Sequence, residues 1–398
     1  MKKLLSALLV AAMVLTMVVA ASAETESKGF KVALVTGSMS QAIDERTAAM
    51  SLEAKYGDQI VTDVYPDNFV EEKETVIQKI VQYADDPDVK AIVVCQAVPG
   101  TAEAFRQVKE RREDILCVAG ESQEDWQLIT DAADVLVMND SVARGYLIIK
   151  TAKELGCDTF VHISFPRHLG IESLARRLAV MKEAGKDLGV NVVEETAADP
   201  MSDVGLTGAQ AQILEKAPEW IEKYGKNSAY FCTNDIHTGP LIKQLLEYGG
   251  YFIEADLPSP ILGYPEALGI KFGEDADMND ADFLLDTVEK AVVEKGGAGR
   301  FGLWKYGWLF SLVCGITEHA FNVVSGTSEV DDIDDVADAF GINSPGAEWN
   351  GAYYTDINSG VKVGNYITMY QDTYIMGDPG HFMGATKVEV PEKYFTVK

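Results

Sequence analysis

From residue 30 onward, short apolar runs alternate with longer stretches whose apolar positions recur every three or four residues. Residues 31–36, 60–65, 91–95, 115–119 and 135–138 read as strands. Between them, 42–56, 69–84 and 101–111 read as helices. In 69–84, Val70, Val76, Ile77, Ile80 and Val81 fall on one helical face. The strand runs are almost continuous Val and Ile, which implies burial on both faces, as in a parallel sheet covered by helices. Short links between alternating strands and helices predict a doubly wound sheet.

After a helix over 141–155 the rhythm restarts. Strands are expected at 159–163, 191–195, 228–232 and 260–263, with helices over 171–188, 208–224 and 241–248. A further helix near 280–294, a glycine-rich turn at 296–299 and an apolar helix from Trp304 follow. The end, from about residue 346, is rich in Gly, Tyr, Asn and Asp and reads as loops with a few strands. The predicted class is α/β: two doubly wound parallel-sheet lobes joined by a hinge. Residues 29–140 with about 267–345 are expected to form lobe one, 141–266 lobe two, and 346–398 a tail crossing back over both. Chain crossovers near 139–141 and 264–266 are the expected hinges.

The N-terminus changes where this molecule is expected to act. Lys2 and Lys3 precede an apolar run from Leu4 to Val19, and Ala21-Ser22-Ala23 supplies the small residues of a cleavage site. The apolar run alone is about long enough to span a bilayer. The Ala-Ser-Ala site and the polar residues after it favour a signal peptide cleaved after Ala23. No cysteine lies near it to carry a lipid, so a periplasmic or secreted protein is expected. The stretch 304–324 is apolar but contains Lys305, Glu318 and His319, and reads as a buried helix.

A formal charge of −28 argues against nucleic-acid or anionic membrane partners. The five cysteines are odd in number, lack CxxC spacing and sit in apolar runs, which predicts buried free thiols rather than a disulfide framework.

In open α/β sheets ligands sit beyond the carboxyl ends of the strands. Reading the residues after each strand gives Ser38, Ser40 and Gln41, then Gln96, Glu121, Asn139 and Asp140 in the first half. In the second half it gives Phe165, Arg167 and His168, then Asn234 and Asp235, then Tyr264. Such polar groups suit hydroxyls and amides, and a strand-end arginine can clamp a carboxylate or phosphate. The competing role for each Ser, Asn and Asp is a helix cap or turn. HExxH, GxSxG and Walker patterns are missing, so no catalytic residue, metal or cofactor is assigned. Asp275, Asp277, Asn279 and Asp286 have calcium-loop spacing, but Asp280 stands where that loop needs Gly, and a helix cap is the better reading.

Two such units in tandem, with Lys31-Val-Ala-Leu-Val-Thr36 first and Tyr230-Phe-Cys-Thr-Asn-Asp235 later, resemble the type I periplasmic binding proteins, including ribose- and nucleoside-binding members. On that pattern Arg177, on the helix after the 159–163 strand, takes the place of a ligand-binding arginine. Residues 65–69, 91–100, Asn139-Asp140 with 143–146, and 159–168 are similar to an exported family of unknown function on this fold. Two departures stand out. Tyr264 is followed by Pro265-Glu266 rather than an Asp, and the paired aromatics of sugar binders are missing after the first strand. The resemblance implies a monomeric solute-binding protein taking a sugar, nucleoside, amino acid or similar polar ligand for an ABC-type permease. A membrane sensor partner, or a hydrolase using Glu121, His168 or Asp235, is the alternative.

Overall fold

The computed structural model describes residues 29–397 apart from residue 274. The signal peptide expected over 1–23 lies outside the described residues. Among those described, no helix is long and apolar enough to cross a membrane.

The first half builds β1 (Lys31–Thr36), β2 (Ile60–Val64), β3 (Val89–Cys95), β4 (Leu116–Gly120) and β5 (Val135–Asn139). The second builds β6 (Thr159–Ser164), β7 (Asn191–Thr196), β8 (Ser228–Cys232) and β9 (Tyr251–Phe252). Then come β10 (Gly302–Leu303), β11 (Trp349–Thr355), β12 (Lys362–Gln371), β13 (Tyr374–Ile375) and β14 (His381–Phe382). Lobe one carries a seven-stranded sheet in the order β11-β12-β5-β4-β3-β1-β2, parallel except for the antiparallel edge strand β11. Lobe two carries the parallel sheet β7-β6-β8-β9. A third, small sheet, β10-β13-β14, packs Leu303 and Tyr374 against the core of lobe two.

The alternation of side chains along each strand divides lobe one into two cores. Val32, Leu34, Ala91, Val93, Val135 and Val137 face the helix Trp308–Val324, while Ala33, Val35, Ile92, Val94 and Leu136 face the helices Lys73–Val81 and Thr101–Arg111. Burying each of the Val, Leu and Ile side chains among them stabilises by about 1.5–3 kcal/mol. Trp308–Val324 is buried along most of its length, and His319 satisfies one ring nitrogen on Val330 O at 2.9 Å. Gly315 lets this helix meet the next, Ile333–Ile342, because a Cβ at that position would run into the Phe340 ring. The five cysteines are buried free thiols.

The lobe boundaries differ from the expected ones. Residues 281–294, assigned from sequence to lobe one, form a helix that buries Leu285, Val288 and Val292 in the core of lobe two with Val161 and Tyr230. The tail is more regular than its composition suggested. β12 is a ten-residue strand lying against β5, so the tail widens lobe one before Tyr394 docks into lobe two. Residues 260–263 form no strand. The fourth strand of lobe two is instead the two-residue β9.

The crossing segments converge on one buried ion pair. Arg144, on the helix Ser141–Glu154, donates from Nε to Glu254 Oε1 at 2.7 Å. Its other nitrogens reach Asn139 Oδ1, Asp256 O and Ala255 O at 2.7–2.8 Å. Glu254 Oε2 accepts from Trp304 Nε1 at 2.9 Å and Thr373 Oγ1 at 3.1 Å. Residues 139, 254–256, 304 and 373, the points where the chain passes between lobes, are thereby tied together.

Candidate functional site

The carboxyl ends of both sheets open onto a cleft of about 450 Å³. Lobe one contributes Gln96 after β3 and Glu121 to Glu124 after β4. Lobe two contributes Arg167 and His168 after β6, Thr233 to Asp235 after β8, and Asp256 after β9. An adjoining hollow of about 310 Å³ shares Ser122, Gln123, Glu124, Met138, Ile171 and Ser173, and adds Trp126 and Tyr366. This size is typical of small-molecule sites.

Two wall residues of lobe one sit in the left-handed backbone region that disfavours side chains: Gln96 at φ 47° and Glu121 at φ 40°. Such strain persists only where surroundings over-determine it, and it concentrates at functional sites. Here the determinants are visible. Gln96 donates to Glu45 Oε1 and accepts from Gln123 Nε2 at 3.1 Å. Glu121 Oε2 accepts from Trp308 Nε1 at 2.7 Å and from Asn139 N at 3.1 Å.

Beneath Gln96, Glu45 is fully buried and accepts from Gly37 N at 2.8 Å. Burial pushes its carboxyl up to about 7 against these hydrogen bonds. Burial likewise raises Glu121, opposed by the Trp308 indole N–H.

In lobe two, Asn234 caps the helix Asp235–Tyr248 by accepting from Ile236 N at 3.1 Å. Asp235 follows it on the wall. Burial raises the Asp235 carboxyl well above its usual range, with Asp256 and Asp44 adding repulsion. His168 contacts Thr233 Oγ1 at 3.3 Å, and burial lowers its imidazole, favouring the neutral form. Arg167 is held by Asp199 through two contacts of 2.8 Å.

Of the residues singled out from sequence, Gln96, Glu121, Arg167, His168, Asn234 and Asp235 share this cleft. The others lie elsewhere, each for a local reason. Ser38 and Ser40 form an exposed network with Asp67, at 2.5 and 3.1 Å, and Gln41 is exposed beside them. Asn139 serves Arg144. Asp140 caps the following helix through Ala143 N at 2.8 Å and accepts from Thr368 Oγ1 at 3.0 Å. Phe165 is buried against His168, with ring centroids 4.2 Å apart, and offers no open platform. Tyr264 is buried and donates to Gly302 O at 2.6 Å. Arg177 is buried behind the wall, over the Phe231 ring and paired with Asp256, so it holds a cleft residue rather than lining the cleft.

Asp256 is the residue that sequence reasoning missed. After burial, its charge bears on Asp235, raising that carboxyl, and on His168, favouring the protonated imidazole, and it adds more weakly to the raised carboxyl of Glu121. Tyr251-Phe252-Ile253 after Gly249-Gly250 was the available signal, because the strand-end rule applied there leads to Glu254 and Asp256.

Against known proteins, the family model described as "Protein of unknown function (DUF3798)" matches residues 30–302. A second family model covers residues 313–397. An uncharacterized protein of Treponema pallidum (strain Nichols) is 39% identical over 216 residues, spanning 54% of this chain and 97% of its own length. A second from the same organism is 35% identical over 178 residues, spanning 43% and 80%. Among solved structures, a candidate transcriptional regulator from Clostridium difficile 630 matches with TM-score 0.76 and 25% identity, over 87% of this chain and 99% of that one. A sugar ABC transporter from Actinomyces odontolyticus ATCC 17982 matches with TM-score 0.54 and 10% identity, over 92% and 99%; that likeness is one of fold.

Proposed function

The chain belongs to this family of proteins of unknown function, built on the type I periplasmic-binding-protein fold, and from that premise we propose that it is an extracytoplasmic solute-binding protein. In this reading a small polar solute enters the cleft, contacts strand-end residues of both lobes and draws the lobes together. A membrane permease then takes delivery of the solute. The observation that carries the reading is the cleft itself, whose polar wall is assembled from both sheets. The Arg144–Glu254 junction supports it. A fixed point where the crossings meet leaves rotation about those short segments as the soft motion, which is how hinged binding proteins close. The Lys2-to-Ala23 leader supports an extracytoplasmic site of action.

The test is a thermal-shift screen of the protein starting at Glu24 against metabolites, followed by calorimetry. A true ligand at about 100 times its Kd adds about 2.7 kcal/mol of stability. Stoichiometric, reversible binding without product supports the proposal. Turnover of the bound compound, or no stabilisation by any polar solute, overturns it.

A further inference from the structure

The charges around the cleft are unequally compensated. Arg167 is engaged by Asp199 and Arg177 by Asp256. Glu124 caps the helix Thr101–Arg111, accepting from Gly100 N at 2.9 Å and Ala102 N at 2.7 Å. His168 is held toward its neutral form by burial. No lysine is among the described residues lining the cleft. Among the described residues, three cleft carboxylates have no bonded cation: Glu124, which the cap occupies through both oxygens, Glu121, whose bonded oxygen meets only an indole and a backbone N–H, and Asp235. Asp235 Oδ1 is closed off from solvent and has no hydrogen-bond partner among the described residues.

A carboxylate accepts hydrogen bonds and donates none, and a buried one left unpaired is costly to hold. An anionic solute would meet like charge here. A neutral polyol could donate hydrogen bonds but would leave the charge in place. A cation does both tasks at once.

Building on the solute-binding reading, we propose that the ligand of this cleft is an organic cation whose ammonium or amidinium N–H groups are received by Asp235 and Glu121. Asp256 completes the acidic face, tethered by Arg177 so that it adds direction to the field without being free to swing. Burial together with Asp256 and Asp44 raises the Asp235 carboxyl well above its usual range and favours the protonated form, and a cation bound against it favours the charged one.

The experiment compares charge-matched probes by calorimetry on the protein starting at Glu24. Glucosamine is set against glucose, 1,4-diaminobutane against 1,4-butanediol, and agmatine against succinate and ribose 5-phosphate. At least one cation is expected to bind ten-fold or more tightly than its neutral counterpart. Asp235→Asn and Glu121→Gln should each weaken that cation at least ten-fold. The probe-free melting temperature of Asp235→Asn should not fall, which separates a ligand-facing acid from a structural one. Preference for neutral or anionic probes, binding by none of the cations, or unchanged cation affinity in both variants overturns the charge assignment. The metabolite screen above decides separately whether the cleft binds any solute.

Discussion

Glu254 and Asp235 are acids at the same lobe junction, the first fully buried and the second partly buried with Oδ1 closed off from solvent, and their surroundings are opposite. Glu254 has a buried guanidinium, an indole N–H and a hydroxyl directed at it, and each of those donors comes from a different crossing segment. Asp235 Oδ1 has none among the described residues. A satisfied buried network fixes one arrangement of the chain. An unsatisfied one invites a group from outside the chain. The difference separates the part of the junction that holds the lobes from the part that waits between them.

The largest test of that contrast is Arg144→Ala. It strands Glu254 in the interior, and breaking a buried pair from one side costs about 3–5 kcal/mol. Denaturant unfolding should show a loss of that size. A loss below about 1 kcal/mol would mean the junction is not held this way.

Glu45 sharpens the comparison as an intermediate case, since it has hydrogen-bond donors but no bonded cation. Its carboxyl is raised from about 4.5 to about 7 on folding, and that of Asp44 from 3.8 to about 6. Between about pH 4 and pH 7 the folded chain therefore holds protons that the unfolded chain releases. Stability should fall as pH rises through that window, by on the order of 3 kcal/mol for Glu45, with the loss complete above pH 7. Glu45→Gln should flatten the curve, as measured by denaturation at pH 5 and pH 8.

Trp308→Phe removes the indole donor from Glu121 and should cost about 1.5–3 kcal/mol, the range for a hydrogen bond to a charged group. It should also weaken any ligand that Glu121 receives. Ser38→Ala sits at the other extreme. Its network with Asp67 is exposed, so stability should change by less than about 0.5 kcal/mol and ligand affinity should stay as it was.

These cases also show how far the sequence could be read. The central strands were legible because runs of Val and Ile this short and this continuous suit a sheet covered on both faces and little else. β9 was not: two residues carry no periodicity, and only pairing with β8 makes them a strand. Its loss hid Asp256 and moved attention to Tyr264. β12 was obscured by Gly364, Asn365 and Tyr366, which read as loop until β5 and β11 supply partners on either side. At the site, the strand-end rule found Asn234, Asp235, Gln96 and Glu121. It could not tell them from Asp140, which has the same kind of position and is consumed as a cap. Arg177 has the spacing implied by the resemblance, but which way its helix face turns depends on packing against Phe231 that no local pattern encodes.

The central claim, that a solute is captured between lobes that move, is tested most directly by a distance across the cleft. Val70→Cys and Asp203→Cys place spin labels on exposed loops, one at the strand-end side of each lobe, and the native cysteines are buried out of reach of the label. With a solute from the screen bound, the account predicts that the inter-label distance shortens and its distribution narrows. A distance unchanged at saturating solute would contradict it.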